Sequence, residues 1–349
     1  MAAATRVSEG HPILIDKFLS DAQELDVDCL SDGRETVVGA IMEHVEQAGI
    51  HSGDSACSIP PRDLSEKVLA EIHAASRKLA KALHVVGLMN IQFAVQHDTL
   101  YVIEVNPRAS RTVPFASKAT GVPLAKHAAL CMAGKTLAEL GFTQSPRIPY
   151  SAFKEAVFPF AKFPGVDITL SPEMKSTGEV MGLDIDAANA YLKSQDAAGN
   201  RIPRSGGLFL SIRDSDKSLA LPFIKHLAEV HQFEFYATAG TGEMLYAAGI
   251  PCHAVFRLAA GRPNLRDLIL EKKIGWIVNI PDVGDDGAKM RSLAIEFGLP
   301  ITTTTAALQM ATEGLANSAV DAGRVDICSL QEYHRMVANA ANIAGKTLI

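Results

Sequence analysis

The sequence lacks most features that would set it apart from an ordinary water-soluble folded protein. No apolar run approaches the ~20 residues that span a bilayer. Met1 to Gly10 carries one arginine and no apolar stretch, which excludes a secretory signal there. Basic charge is not in excess: 33 Lys and Arg against 39 Asp and Glu leave a net charge of −6. That balance argues against nucleic acid or an anionic membrane as partner. Cysteine is scarce and scattered, at Cys29, Cys57, Cys131, Cys252 and Cys328. The number is odd and no two sit at metal-ligand spacing, so reduced thiols of a cytoplasmic protein are expected. There is no short internal repeat and no low-complexity tract.

What is present suits about two domains on a prior of ~150 residues each. Glu24 to Leu30 alternates polar and apolar, Asp32-Gly33 signals a turn, and Glu35 to Val45 is extended in character. Gln47 to Asp54 reads as a loop. Asp63 with Glu66 resembles a capping box, and Leu64, Val68, Ile72, Ala75, Leu79 and Leu83 predict one amphipathic helix over 63–84. Leu88 to Val95 and Leu100 to Val105 read as strands of a hairpin turning at His97-Asp98, followed by a helical stretch from Pro123 to Leu140. Residues 141–204 are richer in Pro and Gly and read as a connecting region with one helix near 186–195. From Gly207 the pattern becomes strand, helix, strand. Strands are expected at 208–213, 233–239, 254–258, 275–280 and 300–304, with helices between. That alternation predicts a small parallel α/β sheet covered on both faces. The Ala- and Asn-rich C-terminal residues read as a final helix or a loose tail.

The strongest chemical signal is Asn90-Ile-Gln-Phe followed by Ile103-Glu-Val-Asn-Pro-Arg108. Glu104 and Asn106 are two apart on a strand and share a face. Gln92 falls opposite Glu104 if the hairpin loop has three residues, and not if it has two. Three hard oxygen ligands suit Mg²⁺ or Mn²⁺ held between protein and phosphates. Arg108 and Arg111 follow, placed to neutralise a transferring phosphoryl group. The competing reading is a polar hairpin whose glutamate pairs with a surface arginine.

Ile103-Glu-Val-Asn-Pro-Arg-Ala-Ser-Arg111 resembles the metal-binding strand of ATP-grasp ligases. Its continuation through Thr112-Val-Pro-Phe-Ala-Ser-Lys-Ala-Thr-Gly-Val-Pro-Leu124 resembles carbamoyl-phosphate synthetase large subunits, C-terminal portion. So do Ile41-Met-Glu-His-Val-Glu-Gln-Ala-Gly-Ile-His-Ser-Gly-Asp-Ser55 and Ser171-Pro-Glu-Met-Lys-Ser-Thr-Gly-Glu-Val-Met-Gly182. The resemblance covers essentially the whole chain. It implies an α/β protein in three parts. These are an α+β ATP-grasp C-terminal lobe over 1–140, a connecting region over 141–204, and a doubly wound, methylglyoxal-synthase-like allosteric domain over 205–349. It further implies that Gln92, Glu104 and Asn106 bind two divalent ions, and that Arg108 and Arg111 contact phosphate. Glu24 would hold the ATP ribose and Leu19 would line the nucleotide pocket. Gly49, Ile50, His51 and Ser52 would form the loop beside the transferring phosphate, with a solvated loop histidine as the bland alternative for His51. Lys17 stands where related enzymes often carry histidine. The implied reaction is phosphorylation of carbamate by ATP, giving carbamoyl phosphate for arginine and pyrimidine biosynthesis. The remainder of the large chain and a glutaminase small subunit would be partners.

For the second half the resemblance implies a nucleotide effector of the UMP or IMP type. Thr238-Ala-Gly-Thr-Gly242, after a strand and opening a helix, has the make-up of an anion site; a turn used only for chain reversal is the alternative. Ser211, Lys217, Thr238, Thr241, Arg257 and Asn279 are the implied contacts. Arg257 replaces a lysine, and Ile280 and Pro281 replace hydroxyl residues. An ornithine-like effector site is implied by Glu46, Asp54 and Glu155, with Ile301 at the position of an aromatic contact. No glycine-rich phosphate loop precedes Glu24, so the isolated chain is expected not to be a competent synthetase, whether it is a truncation or one part of a split enzyme. An effector-binding module without chemistry of its own, and methylglyoxal synthase activity in residues 200–349, are the alternative readings.

Overall fold

The structure, a computed structural model, describes residues 19, 22–46, 48–159, 170, 173–280, 287–317 and 327–337. Lys17, Pro281 and the last residues, 338–349, lie outside them.

The first half folds around a seven-stranded sheet of order β5-β4-β1-β2-β3-β6-β7, antiparallel throughout. Its strands are β1 (Gln23–Asp32), β2 (Thr36–His44), β3 (Cys57–Ile59), β4 (Val86–Gln96), β5 (Thr99–Asn106), β6 (Ser151–Val157) and β7 (Gly178–Asp184). Strand alternation divides the residues between two faces. Leu25, Val27 and Cys29 of β1, with Met89, Ile91 and Phe93 of β4, pack on helix α1 (Glu66–Ala82) through Val68, Ile72 and Ala80. The other face meets α2 (Val113–Thr120) and α3 (Leu124–Met132) through Val113, Phe115, Ala116, Leu124 and Ala128. On that face the β1 positions between the apolar ones are Glu24, Asp26 and Asp28, and they lead into the cleft described below.

Three local expectations change. The cap of α1 is Ser65, whose hydroxyl accepts from the Val68 N–H, while the Asp63 N–H is drawn to Glu43 Oε2 at 3.1 Å. The expected helix over 123–140 is shorter, ending at Met132, and a separate helix, α2, precedes it, closed by the left-handed backbone of Gly121 (φ 75°). Within 141–204, β6 and β7 extend the first sheet before α4 (Ala187–Ala197). Their Pro- and Gly-rich surroundings hid them.

The second half holds a five-stranded parallel sheet of order β10-β9-β8-β11-β12, built from β8 (Gly206–Ile212), β9 (Phe233–Thr238), β10 (His253–Val255), β11 (Trp276–Ile280) and β12 (Ile301–Thr302). Leu208, Leu210, Trp276 and Val278 face α5 (Lys217–Val230) and α9 (Thr305–Ala316). Phe209, Ile277 and Tyr236 face α7 (Leu265–Leu270) and α8 (Gly287–Glu296). The sheet is thus wound on both faces, as the alternation predicted. Helix α6 (Ala239–Ala247) opens at the carboxyl end of β9. Residues 330–337 are helical. All five cysteines are free. Among the described residues no helix is long and apolar enough to cross a membrane.

Candidate active site

Two rungs of the first sheet gather polar side chains, the expected Gln92, Glu104 and Asn106 among them. Glu104, Gln92 and Asp26 stand side by side on β5, β4 and β1; Asn106, Asn90 and Asp28 form the next rung. The hairpin that brings them together has a two-residue loop, His97 and Asp98, both at positive φ (50° and 57°). Gln96 pairs with Thr99, so an unbroken ladder would set Gln92 against Ile103. Instead Phe93 pairs with Val102 and Gln92 with Glu104, leaving Ile103 as the extra residue of a β-bulge. The bulge turns Glu104 and Asn106 onto the face of Gln92, the alignment otherwise requiring a three-residue loop.

All of the rung residues except Asp28 line a cleft of about 730 Å³, with His51, Ser52, Arg108, Ser110, Arg111, Thr112 and Lys154. Asn106 donates an amide N–H to Glu104 Oε1 at 2.5 Å, and Gln92 donates to Ser52 Oγ at 3.1 Å. Each amide thereby keeps its oxygen available as a hard ligand. Neither Arg108 nor Arg111 has a carboxylate partner among the described residues; Arg108 donates to the Ala109 carbonyl at 3.0 Å, and Arg111 contacts Met174 Sδ. The loop residue His51 accepts the Gly53 N–H on Nδ1 at 3.0 Å, so its ring proton belongs on Nε2.

Below the cleft lies a buried polar network. Asp28 accepts from Asn90 Nδ2 (3.0 Å), Thr112 Oγ1 (2.7 Å) and Ser110 Oγ (2.8 Å). Burial raises its pKa to about 6 against those three hydrogen bonds. Asp26 is bonded to His44 Nε2 at 3.0 Å and to Asn90 at 3.2 Å. Burial opposes its charge, yet the bond and charge of His44 outweigh burial and lower its pKa. Burial likewise opposes the His44 imidazolium, and Asp26 with Glu24 reverse the effect, raising its pKa to about 9. Glu24 also accepts the Gly49 N–H at 3.0 Å.

Residues 1–140 match the carbamoyl-phosphate synthase L chain, ATP binding domain, and residues 219–303 match the MGS-like domain. Carbamoyl phosphate synthase large chains align along nearly the whole sequence. That of Methanothermobacter thermautotrophicus is 48% identical over 96% of this chain and 32% of its own length. Those of Haemophilus ducreyi (49%, over 98% and 32%) and Rhodopirellula baltica (51%, over 90% and 30%) are alike. The chain belongs to the carbamoyl phosphate synthase large-chain family. It spans about a third of the length of these relatives.

Of the site residues expected for this family, His51, Ser52, Gln92, Glu104, Asn106, Arg108 and Arg111 line the one cleft. Leu19, Glu24, Gly49 and Ile50 lie outside its lining, with Glu24 and Gly49 bonded to each other. The sequence reading missed Asp26, Asp28, His44, Asn90, Ser110, Thr112 and Lys154. A signal existed for three of them, Asp26, Asp28 and Asn90, since Glu24-Leu-Asp-Val-Asp28 and Asn90-Ile-Gln92 put polar groups at every second position.

In the second half, Ser211 and Asn279 are neighbours in register on β8 and β11. Thr238 Oγ1 lies 3.5 Å from Ser211 Oγ and 3.4 Å from Thr241 Oγ1. Lys217 reaches the Gly240 carbonyl at 2.7 Å and pairs with Asp214. Arg257 stands apart and exposed beyond the edge strand β10. Buried Arg291 donates to Asn279 Oδ1 at 3.2 Å and was not anticipated. Of the three acids expected at an effector site, Glu46 and Glu155 are half-buried neighbours with their carboxyl groups turned inward: burial first, and then the Glu46 charge, raise the pKa of Glu155. Asp54 is turned to the backbone N–H groups of Lys175 (2.7 Å) and Ser176 (2.8 Å).

Proposed function

We propose that the cleft holds the phosphates of ATP and phosphorylates carbamate, giving carbamoyl phosphate and ADP for arginine and pyrimidine biosynthesis. The observation that carries this reading is the convergence of Glu104, the amide oxygens of Gln92 and Asn106, and two arginines without carboxylate partners among the described residues on a single cleft. Gln92 Oε1, Glu104 and Asn106 Oδ1 fit Mg²⁺ or Mn²⁺, whose remaining ligands would come from phosphate oxygens and water. Among the described residues no three His, Cys, Asp or Glu side chains form a metal cluster by themselves, in keeping with ions that arrive with the nucleotide. Bound ions neutralise charge on the phosphates. Arg108 and Arg111 hold the phosphoryl oxygens while carbamate oxygen bonds to the γ-phosphorus and ADP leaves with the electrons of the broken P–O bond. His51 offers its Nε2 proton to an oxygen of the carbamate or phosphoryl group.

The proposal divides the chain as an ATP-grasp lobe over 1–140, a connecting region over 141–204 and a regulatory domain over 205–349. Relatives about three times longer support a partner in the remainder of a large chain, and a glutaminase small subunit is proposed as a second partner. For the regulatory domain we infer a nucleotide monophosphate at the carboxyl edge of the sheet. The hydroxyls of Ser211, Thr238 and Thr241, beside the opening of α6, suit a phosphate. Glu46 Oε2 is buried with no hydrogen-bond partner among the described residues, which suits an amine such as that of ornithine.

The test is ATP formation from ADP and carbamoyl phosphate with Mg²⁺, run on the chain alone and with the remaining portion of a relative's large chain. Glu104→Gln and Arg111→Ala should each lower the rate by about 100-fold or more, the usual effect of removing a preorganised charge contact. A Glu104→Gln chain with full activity would sink the assignment. Silence under both conditions would favour an effector-binding module.

A further inference from the structure

Lys154 has no role in the scheme above, yet it lies at the centre of the fold. Its side chain is 1% exposed, on the β6 face that looks into the cleft. Burying an ammonium is costly unless it is well hydrogen-bonded, and a carboxylate is the usual partner. Here the bonds recorded for Nζ go to two main-chain carbonyls, Ser52 O at 3.1 Å and Gly53 O at 3.3 Å. Both belong to the loop that carries His51. The same loop is held from its other sides: Gln92 grips Ser52 Oγ, and Ser176 Oγ donates to Gly53 O at 3.2 Å. Carboxylates hold the loop at its two ends, Glu24 at Gly49 and Asp54 against Lys175 and Ser176, and Lys154 is the cation that grips the peptides following Ser52 and Gly53. The next residue on β6, Glu155, points to the opposite face of the sheet, where its Oε2 accepts from Gln195 of α4 at 2.5 Å.

We infer that Lys154 is a positioning residue: its ammonium sets the His51–Gly53 loop against the transferring phosphoryl group, and β6 ties that loop to the Glu155 side of the sheet. The inference rests on the phosphoryl-transfer reading of the cleft only for what the loop faces. The loop's dependence on Lys154 is testable by itself.

Lys154→Met keeps the length and apolar stem of the side chain and removes the ammonium. Amide hydrogen exchange of the full chain should then accelerate about ten-fold or more at Gly53, Asp54 and Ser55, with β4 and the second sheet unchanged, as loss of a charged hydrogen bond predicts. With the remainder of a large chain present, KM for carbamoyl phosphate should rise by a similar factor and KM for MgADP should not. Uniform acceleration throughout the molecule, or none in the loop, overturns the inference. Should Lys154→Met not fold, the wild-type Lys154 ammonium is read directly by ¹⁵N NMR. Protons protected from solvent support the inference, and freely exchanging ones overturn it. Glu104→Gln serves as the separate control. If it leaves ATP formation intact, the reading of the cleft fails while the loop result stands.

Discussion

His44 sits beneath the cleft with a carboxylate on either side, Asp26 at 3.0 Å and Glu24 at 3.6 Å. Its folded pKa, about 9, exceeds the ordinary histidine value of about 6.5. The charge it gains on folding therefore stabilises the protein fully below that ordinary value, and the contribution is lost as pH rises through about 9. His44→Asn, which leaves Asp26 buried without its cation, should cost about 3–5 kcal/mol at pH 6.5. The difference from wild type should shrink towards pH 10. Urea unfolding at pH 6.5, 8 and 10 checks this, and a cost that grows with pH would contradict it. Nothing in the sequence singled out His44, because a histidine closing an apolar strand has no distinguishing spacing. The acids of β1 were visible as an alternating strand. Their convergence with Asn90 and Gln92 was not, because strand neighbours that meet in space lie far apart in the chain.

At the scale of elements, the cleft-facing rungs were legible only in part. The period of two put Glu104 and Asn106 on one face. Which face it was depended on the Ile103 bulge, which leaves no signature in composition. The short strands and helices of the second half were read closely, because buried parallel strands appear as compact apolar runs between helices. The start of α1 was misread for a physical reason. Asp63 and Ser65 are both good capping residues, and the contact of the Asp63 N–H with Glu43 decides between them. Ser65→Ala should accordingly destabilise the fold by about 1 kcal/mol, the ordinary cost of a lost N-cap. Asp63→Ala, at an exposed side chain, should stay within about 0.5 kcal/mol of wild type. Denaturant midpoints for the pair of variants distinguish the two caps.

The two halves of the molecule meet through polar contacts that no single stretch of sequence reveals. Arg62, just before α1, pairs with Glu313 of α9 at 3.7 Å. A longer relay starts at Glu155, passes through Gln195, and reaches Asn200, whose Oδ1 accepts the Ile301 N–H of β12 at 3.0 Å. The first sheet is thereby linked to the far edge of the second. At its root lie the inward-turned carboxyl groups of two half-buried residues, Glu46 and Glu155, both with pKa raised, chiefly by burial of the carboxyl. A carboxyl whose folded pKa lies above its unfolded value binds more protons in the folded state. Stability therefore falls as pH climbs from the unfolded carboxylate pKa to the folded one, and then stays level. Glu155→Gln removes the charge that must be created in this site, and its amide oxygen can still accept from Gln195. The variant should match wild type at pH 4 and become more stable by about 1 kcal/mol or more at pH 8. Thermal unfolding at both pH values reads the difference, and a variant less stable than wild type at pH 8 would mean that Glu155 is held there as a favourable charge. The expected gain would show that Glu155 is retained at a cost in stability, a pattern that fits the cationic-effector site proposed above.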